Sequence, residues 1–350
     1  MAAIALMSTA CDSKMEIGQQ EIKIETEPSL MPVSLMINVP QTKATVANTK
    51  EDNIESLNVF VYRTDDEGVE TYDSFYRFDE TSSNLIYINP DCGATTYRFA
   101  VYANHDVRPA EAGSVLQDQA LFSNESVDKF QMYGFMEVNA QKLINDRSVK
   151  IDLRRQCSKV SVKNIEVKWT NSANNLKPFS LKGIYLMDVP GVLQNKSSLS
   201  DNALSTQGAW YNTMGHTSKD SDALLYDKIE NGEVTESSAY STPHYLYGYI
   251  SMLENCYTTD TWSPGGTRLV IEAEFNGQPC YYSILLSKLL SNGESTETYV
   301  RNKAFTFNNI TITRPGAKEP YGELQAEEAI NFSVSVEAWE QIVENSYTIK

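Results

Sequence analysis

The residues best suited to chemistry lie in the first 44 positions, as substrates for other proteins. Residues 2–7 form a short apolar run that leads through Ser8-Thr9-Ala10 into Cys11-Asp12-Ser13. Small side chains directly before a cysteine suit a signal peptidase that leaves a lipidated Cys11. Secretory signals begin with a positive segment, yet no Lys or Arg precedes this run. The expectation is a precursor that starts upstream of Met1, with residues 1–11 as the end of its signal peptide. A complete strand pattern follows at 33–39, then a polar linker holding Thr42-Lys43-Ala44. A whole strand set before an exposed lysine reads as a detachable piece. Residues 12–43 are therefore expected to be a propeptide.

No other stretch carries a catalytic pattern. His105, His216 and His244 stand beside turn residues, without the spacing of a metal pair or a nucleophile partner. No GxSxG, HExxH, P-loop or dinucleotide fingerprint occurs, and Gly265-Gly266 reads as a turn before a strand. No catalytic residue, metal or cofactor is expected, and the chain reads as non-enzymatic. Asp65-Asp66-Glu67 reads as a solvated loop, with an incidental calcium site as the alternative. The four Asn-x-Ser/Thr sites, at Asn124, Asn195, Asn309 and Asn331, are what chance gives in so Asn-, Ser- and Thr-rich a chain. Trp210, Tyr211 and Trp262 could stack on a sugar ring or pack under a loop. Cys92, Cys157, Cys256 and Cys280 lack zinc spacing and are too few for a disulfide scaffold. Buried free thiols are expected, with a Cys256–Cys280 pair left open.

The elements that must hold these residues are strands. The chain has 350 residues, enough for about two domains. Its formal net charge of -17 disfavours nucleic acid and anionic lipid as partners. Period-two alternation recurs at 33–39, 54–62, 84–88, 97–102, 149–153, 159–169, 181–187, 245–250, 268–275, 280–286, 304–312 and 329–339. Helical patterning is confined to a turn or two at 115–122 and 287–291. The reading is all-β, with two antiparallel sandwiches, a boundary near 155–170 and a surface excursion over 193–236.

Several segments, in order, resemble the fimbrillins of Bacteroidia, the subunits of lipoprotein-derived pili. They include Ile54-Glu55-Ser56-Leu57-Asn58-Val59-Phe60-Val61-Tyr62, Tyr97-Arg98-Phe99-Ala100-Val101-Tyr102-Ala103-Asn104 and Gln131-Met132-Tyr133-Gly134, the last similar to the family's Met-x-Gly turn. Val149-Lys150-Ile151-Asp152-Leu153-Arg154-Arg155 leading into Lys159-Val160 is similar too, as are Gly183-Ile184-Tyr185-Leu186 and the final strand with Trp339. The resemblance spans nearly the whole chain. It implies two tandem transthyretin-like β-sandwiches, here 44–158 and 159–350, with few short helices. It also implies export as an outer-membrane lipoprotein and assembly into a cell-surface fimbrium for adhesion or biofilm formation. In the family an Arg-directed protease cuts after the first strand; the corresponding bond here is Lys43–Ala44. No Arg precedes Arg63, so a Lys-tolerant, trypsin-like protease is required. Implied partners are identical subunits, accessory pilus subunits, that protease and a ligand on a host or bacterial surface.

Removing a core strand leaves unpaired backbone groups beside an apolar groove. Val33, Leu35, Ile37 and Val39 alternate along the strand, so four apolar sites would empty. At about 1.5–3 kcal/mol each, the missing burial amounts to ~6–12 kcal/mol, comparable with a domain's stability. A tail over 340–350 carrying Ile342, Val343, Tyr347 and Ile349 is the expected donor, by β-strand addition. For 329–339, donation and a place in its own sheet are both open. The alternatives are a monomeric glycan-binding surface lipoprotein, or a tip or anchor subunit.

Overall fold

The computed structural model describes residues 30–38, 41–42, 51, 53–78, 85–105, 119–194, 203–204, 210–213, 224–253, 265–290, 299–321 and 330–341. Along most of these segments β-branched and aromatic residues alternate with polar ones, so they pair as strands that bury one face. The protein is all-β in character, with one α-helix among the described residues.

Two sheets enclose the first core. One runs β5 (Leu85–Ile88), β1 (Met31–Asn38), β9 (Ser148–Asp152). The other runs β10 (Arg154–Arg155), β8 (Met132–Asn139), β6 (Thr96–Ala103), β3 (Leu57–Thr64), β4 (Glu70–Phe78). Val33, Leu35 and Ile37 share their cluster with Val59, Val61, Phe99 and Val101. The second core lies between two further sheets. In one, β24 (Lys303–Ile312) is flanked by β25 (Ile330–Ala338) on one edge. Its other edge carries β11 (Ser158–Val162) and β12 (Ile165–Val167), and β19 (His244–Gly248) lies beyond β11. The facing sheet runs β18 (Tyr226–Glu233), β13 (Phe179–Met187), β21 (Arg268–Phe275), β22 (Gln278–Leu285).

Short pairings stitch the rest. These join β14 (Val189–Pro190) to β17 (Trp210–Tyr211) and β20 (Ile250–Ser251) to β23 (Tyr299–Val300). A small sheet orders β16 (Ala203–Leu204), β15 (Val192–Gln194) and β7 (Gln119–Leu121), and β2 (Gln41–Thr42) pairs with β26 (Glu340–Gln341). Phe122 and Phe130, although early in the chain, are buried in the second core. The two cores are thus interlocked by the segment 119–131.

Pairing is antiparallel except for β1–β9, β11–β24 and β12–β24, which are parallel. The pattern read over 159–169 is interrupted at Lys163 and Asn164, giving two strands where one is expected. Three long strands escape the sequence reading: β4, β8 and β18. The excursion expected over 193–236 is corrected by β18, because Leu224, Leu225, Ile229 and Val234 enter the second core. Its charged residues made an edge strand look like a loop.

The turn expected at 115–122 is instead β7 followed by a 3-10 turn at Phe122–Asn124; residues 115–118 lie outside the described residues. A 3-10 turn does form at Leu286–Leu289. The α-helix, α1 (Ala140–Asp146), is short but well capped. The Asn139 side chain accepts from the Gln141 and Lys142 amides, and Arg147 closes the helix at φ 52.

Where β8 passes under β9, the two layers nearly touch. A Cβ at Gly134 would stand 2.4 Å from the Asp152 carbonyl oxygen. Gly134→Ala is therefore expected to lower stability by roughly 1–3 kcal/mol, read as the midpoint of urea denaturation. An unchanged midpoint would show that the layers part freely at this point.

Candidate functional site

The strand read as detachable is the middle strand of its sheet. β1 pairs antiparallel with β5, from Met31↔Ile88 to Ser34↔Leu85, and parallel with β9, from Ser34↔Ser148 to Asn38↔Asp152. The Ser34 amide donates to the Arg147 carbonyl at 2.9 Å, and the Leu153 amide to the Asn38 carbonyl at 3.0 Å. Asn38 Nδ2 also donates to Asp152 Oδ1 at 2.5 Å. Met31, Val33, Leu35 and Ile37 point into the core and are buried, whereas Pro32 and Met36 are exposed. Met31 extends the buried face by one position beyond the sequence reading, and Val39 lies outside the described residues. The pattern was legible because alternation at period two leaves only one face to bury.

The strand's exit leads to the other end of the chain. β2 pairs with β26 through Gln41↔Gln341 and Thr42↔Glu340. Cys11, Lys43 and Ala44 lie outside the described residues, as do the tail positions Ile342, Val343, Tyr347 and Ile349. Of the C-terminal pattern, 330–338 forms β25 and lies along β24 in its own sheet, from Lys303↔Ala338 to Ile312↔Ile330.

Buried carboxylates line the seam between the two cores. Glu51 accepts from Lys159 Nζ at 2.7 Å and from the Tyr247 hydroxyl at 2.6 Å. Burial and the Glu51 charge together raise the Tyr247 pKa, keeping the phenol a donor. Glu125 accepts from the Tyr249 hydroxyl at 2.8 Å and the Gln131 amide at 2.8 Å. Neither carboxylate stands out in the sequence, because each meets a tyrosine hydroxyl across more than a hundred residues of chain (Glu51–Tyr247, Glu125–Tyr249).

The remaining candidates fall into place singly. His244 Nδ1 lies 2.6 Å from Asp227 Oδ2 and its Nε2 lies 3.1 Å from the Tyr240 hydroxyl, a link between β19 and β18. The sequence reading found no partner for it, since Asp227 sits on a strand that reading missed. His105 is buried against the edge of Tyr102, its carbonyl accepting from Asn58 Nδ2 at 2.6 Å. Cys92, Cys157 and Cys280 carry free thiols. Cys256, His216 and Trp262 lie outside the described residues. Trp210 and Tyr211 are half-buried in β17, with Tyr211 packed on Phe122 at 5.3 Å. Asp65 Oδ1 accepts from the Glu67 and Val69 amides and so shapes a turn.

Burial pushes the Glu125 carboxyl up to about 7, against the lowering effect of its hydrogen bonds to Gln131 and Tyr249. The folded protein therefore holds a proton that the unfolded chain has lost. Its contribution to stability is present at acidic pH and declines as pH rises from about 4.5 to about 7. Between pH 5 and pH 8 the wild type should lose ~2 kcal/mol relative to Glu125→Gln, measured by urea denaturation. Equal pH slopes for the two proteins would refute this.

The family model described as major fimbrial subunit protein (FimA) matches residues 31–144. That stretch opens on the first residue of β1 and ends within α1. No curated protein matches the chain. Among solved structures, a fimbrilin of Porphyromonas gingivalis W83 shares 15% identity with a TM-score of 0.55, covering 88% of this chain and 97% of that one. A protein of Parabacteroides distasonis ATCC 8503 described as a candidate cell adhesion protein shares 16% identity with a TM-score of 0.56. It covers 89% of this chain and 100% of that one. At these identities the likeness is one of fold.

Proposed function

We propose that this chain, whose residues 31–144 match the major fimbrial subunit model, is a member of the fimbrillin family and a structural subunit of a cell-surface fimbrium that polymerises by exchanging strands between copies. The observation that carries the reading is the position of β1. It is buried on one face and paired along both edges, yet it is followed within a few residues by the linker that holds Lys43. In this reading Cys11 carries the lipid that holds the exported precursor at the outer membrane. A trypsin-like protease then cuts at Lys43–Ala44, and β1 departs with its propeptide.

The gap is the specificity element. Loss of Met31, Val33, Leu35 and Ile37 removes about 6–12 kcal/mol of apolar burial, far more than an open groove can forgo in water. A neighbouring copy's chain beyond residue 339 supplies the replacement, and repetition of this head-to-tail contact builds an open filament. The division into 44–158 and 159–350 belongs to the same proposal and is supported by the two cores, with Phe122 and Phe130 of the first part entering the second core. Adhesion or biofilm formation would follow from the assembled fimbrium, with accessory subunits at its ends.

Two measurements test this. Protein shed from cells should begin at Ala44 and run as a detergent-resistant ladder. Deleting residues 340–350 should leave a folded, exported monomer with no ladder. A monomer retaining an acylated Cys11, or ladders that survive the deletion, would overturn the reading.

A further inference from the structure

Glu51 follows the expected cut by eight residues. It is 1% exposed although it lies in a turn, outside any strand. Besides Lys159 and Tyr247, its carboxylate accepts from Trp339 Nε1 at 3.3 Å. Arg155 Nε donates to the Glu51 carbonyl oxygen at 3.2 Å, and the same guanidinium lies 4.7 Å from the centre of the Trp339 ring. Tyr247 stacks on that ring at 5.6 Å, and Phe130 meets it edge-on at 5.3 Å. The Trp339 amide donates to the Asn302 carbonyl at 2.9 Å. One indole thus ends β25 in a buried site whose central acceptor comes from the start of the chain.

We propose that Glu51 is the anchor that fixes Trp339 inside its own subunit, so that the exchanged segment begins at Glu340. The inference rests on the strand-exchange reading and adds where the exchange must start. Two neighbouring attachments differ in what the cut does to them. β26 is paired with β2, which lies on the N-terminal side of Lys43 and would leave with β1. Trp339 is held by Glu51, which lies on the C-terminal side and would stay. Cleavage therefore removes the partner of residues 340–341 while leaving the partner of residue 339 in place. β25, with its nine-residue register on β24, remains a strand of its own sheet.

Hydrogen–deuterium exchange on the full chain, before and after trypsin, reads the anchor independently of assembly. In the wild type, cutting should raise exchange at 340–341 by about tenfold or more in the monomer fraction, restore protection there in the ladder fraction, and leave 330–338 unchanged in both. In the uncut protein, Glu51→Ala should raise exchange across 330–338 about tenfold. Trp339→Phe keeps a ring on Arg155 and Tyr247 but removes the indole donor; it should give a smaller rise over the same residues. That milder variant decides the matter if Glu51→Ala does not fold. Unchanged exchange over 330–338 in the variants that fold, or a rise there in the wild type on cutting, would overturn the anchor. Release of 340–341 without ladder formation would instead overturn strand exchange and leave the anchor standing on the exchange data.

Discussion

A strand in the middle of a sheet has two rows of backbone donors and acceptors to satisfy, and β1 satisfies both. Its neighbours, β5 with four residues and β9 with five, do not pair with each other, so β1 alone makes them a sheet. Two short strands without a central partner have little stability in water. The floor of the first core depends on the same element, since Val33, Leu35 and Ile37 pack in the cluster of Val59, Val61, Phe99 and Val101. Any replacement must therefore offer extended backbone of comparable length and apolar side chains at every second position. In the proposed exchange, shape and pairing would define what the groove accepts.

The interlock between the cores rests on a different kind of contact. Tyr247 and Tyr249 stand two residues apart, and each gives its hydroxyl to a buried carboxylate from the N-terminal half. A buried ion pair such as Glu51–Lys159 gains little net stability over an apolar substitute. Its value is geometric: few arrangements satisfy a buried carboxylate, whereas apolar surfaces can slide. Glu125 has no salt-bridge partner among the described residues, and burial pushes its carboxyl up to about 7. One carboxylate is paired with a lysine and the other is met by neutral donors, and both are reached from tyrosines two residues apart on the same strand region.

Period-two alternation made β1 and β24 legible in the sequence, because burying one face leaves no other register; β3, β6 and β21, buried on both faces, were legible as short apolar and aromatic runs. It failed where another demand overrode it. β8 carries Gly134, which the crossing of β9 requires, and so lost the look of a strand. β18 carries Asp227, Lys228, Glu230 and Glu233, charges that suit a sheet edge and mimic a loop. Helix α1 is only seven residues long and owes its boundaries to Asn139 and Arg147, a local signal that strand patterning hides. The polar seam was not readable at all. Glu51 and Trp339 are 288 residues apart, and nothing in either neighbourhood announces the other.

The same pairing logic limits which part of the C-terminus can be exchanged. β24 is an interior strand, with β25 on one edge and β11 and β12 on the other. Were β25 to leave for a neighbour, it would open β24 along nearly its whole length and uncover Phe307, whose ring meets Phe332 at 5.6 Å. Filling one subunit's groove would then open an equal gap in the donor, and the exchange would gain almost nothing. A segment beginning beyond Trp339 avoids that symmetry. It would give up only the two-residue pairing with β2, a partner that the proposed cut would take away. In the proposed exchange, donation from 340 onward would turn the burial lost with β1 into a net driving force for assembly, and donation of β25 would not.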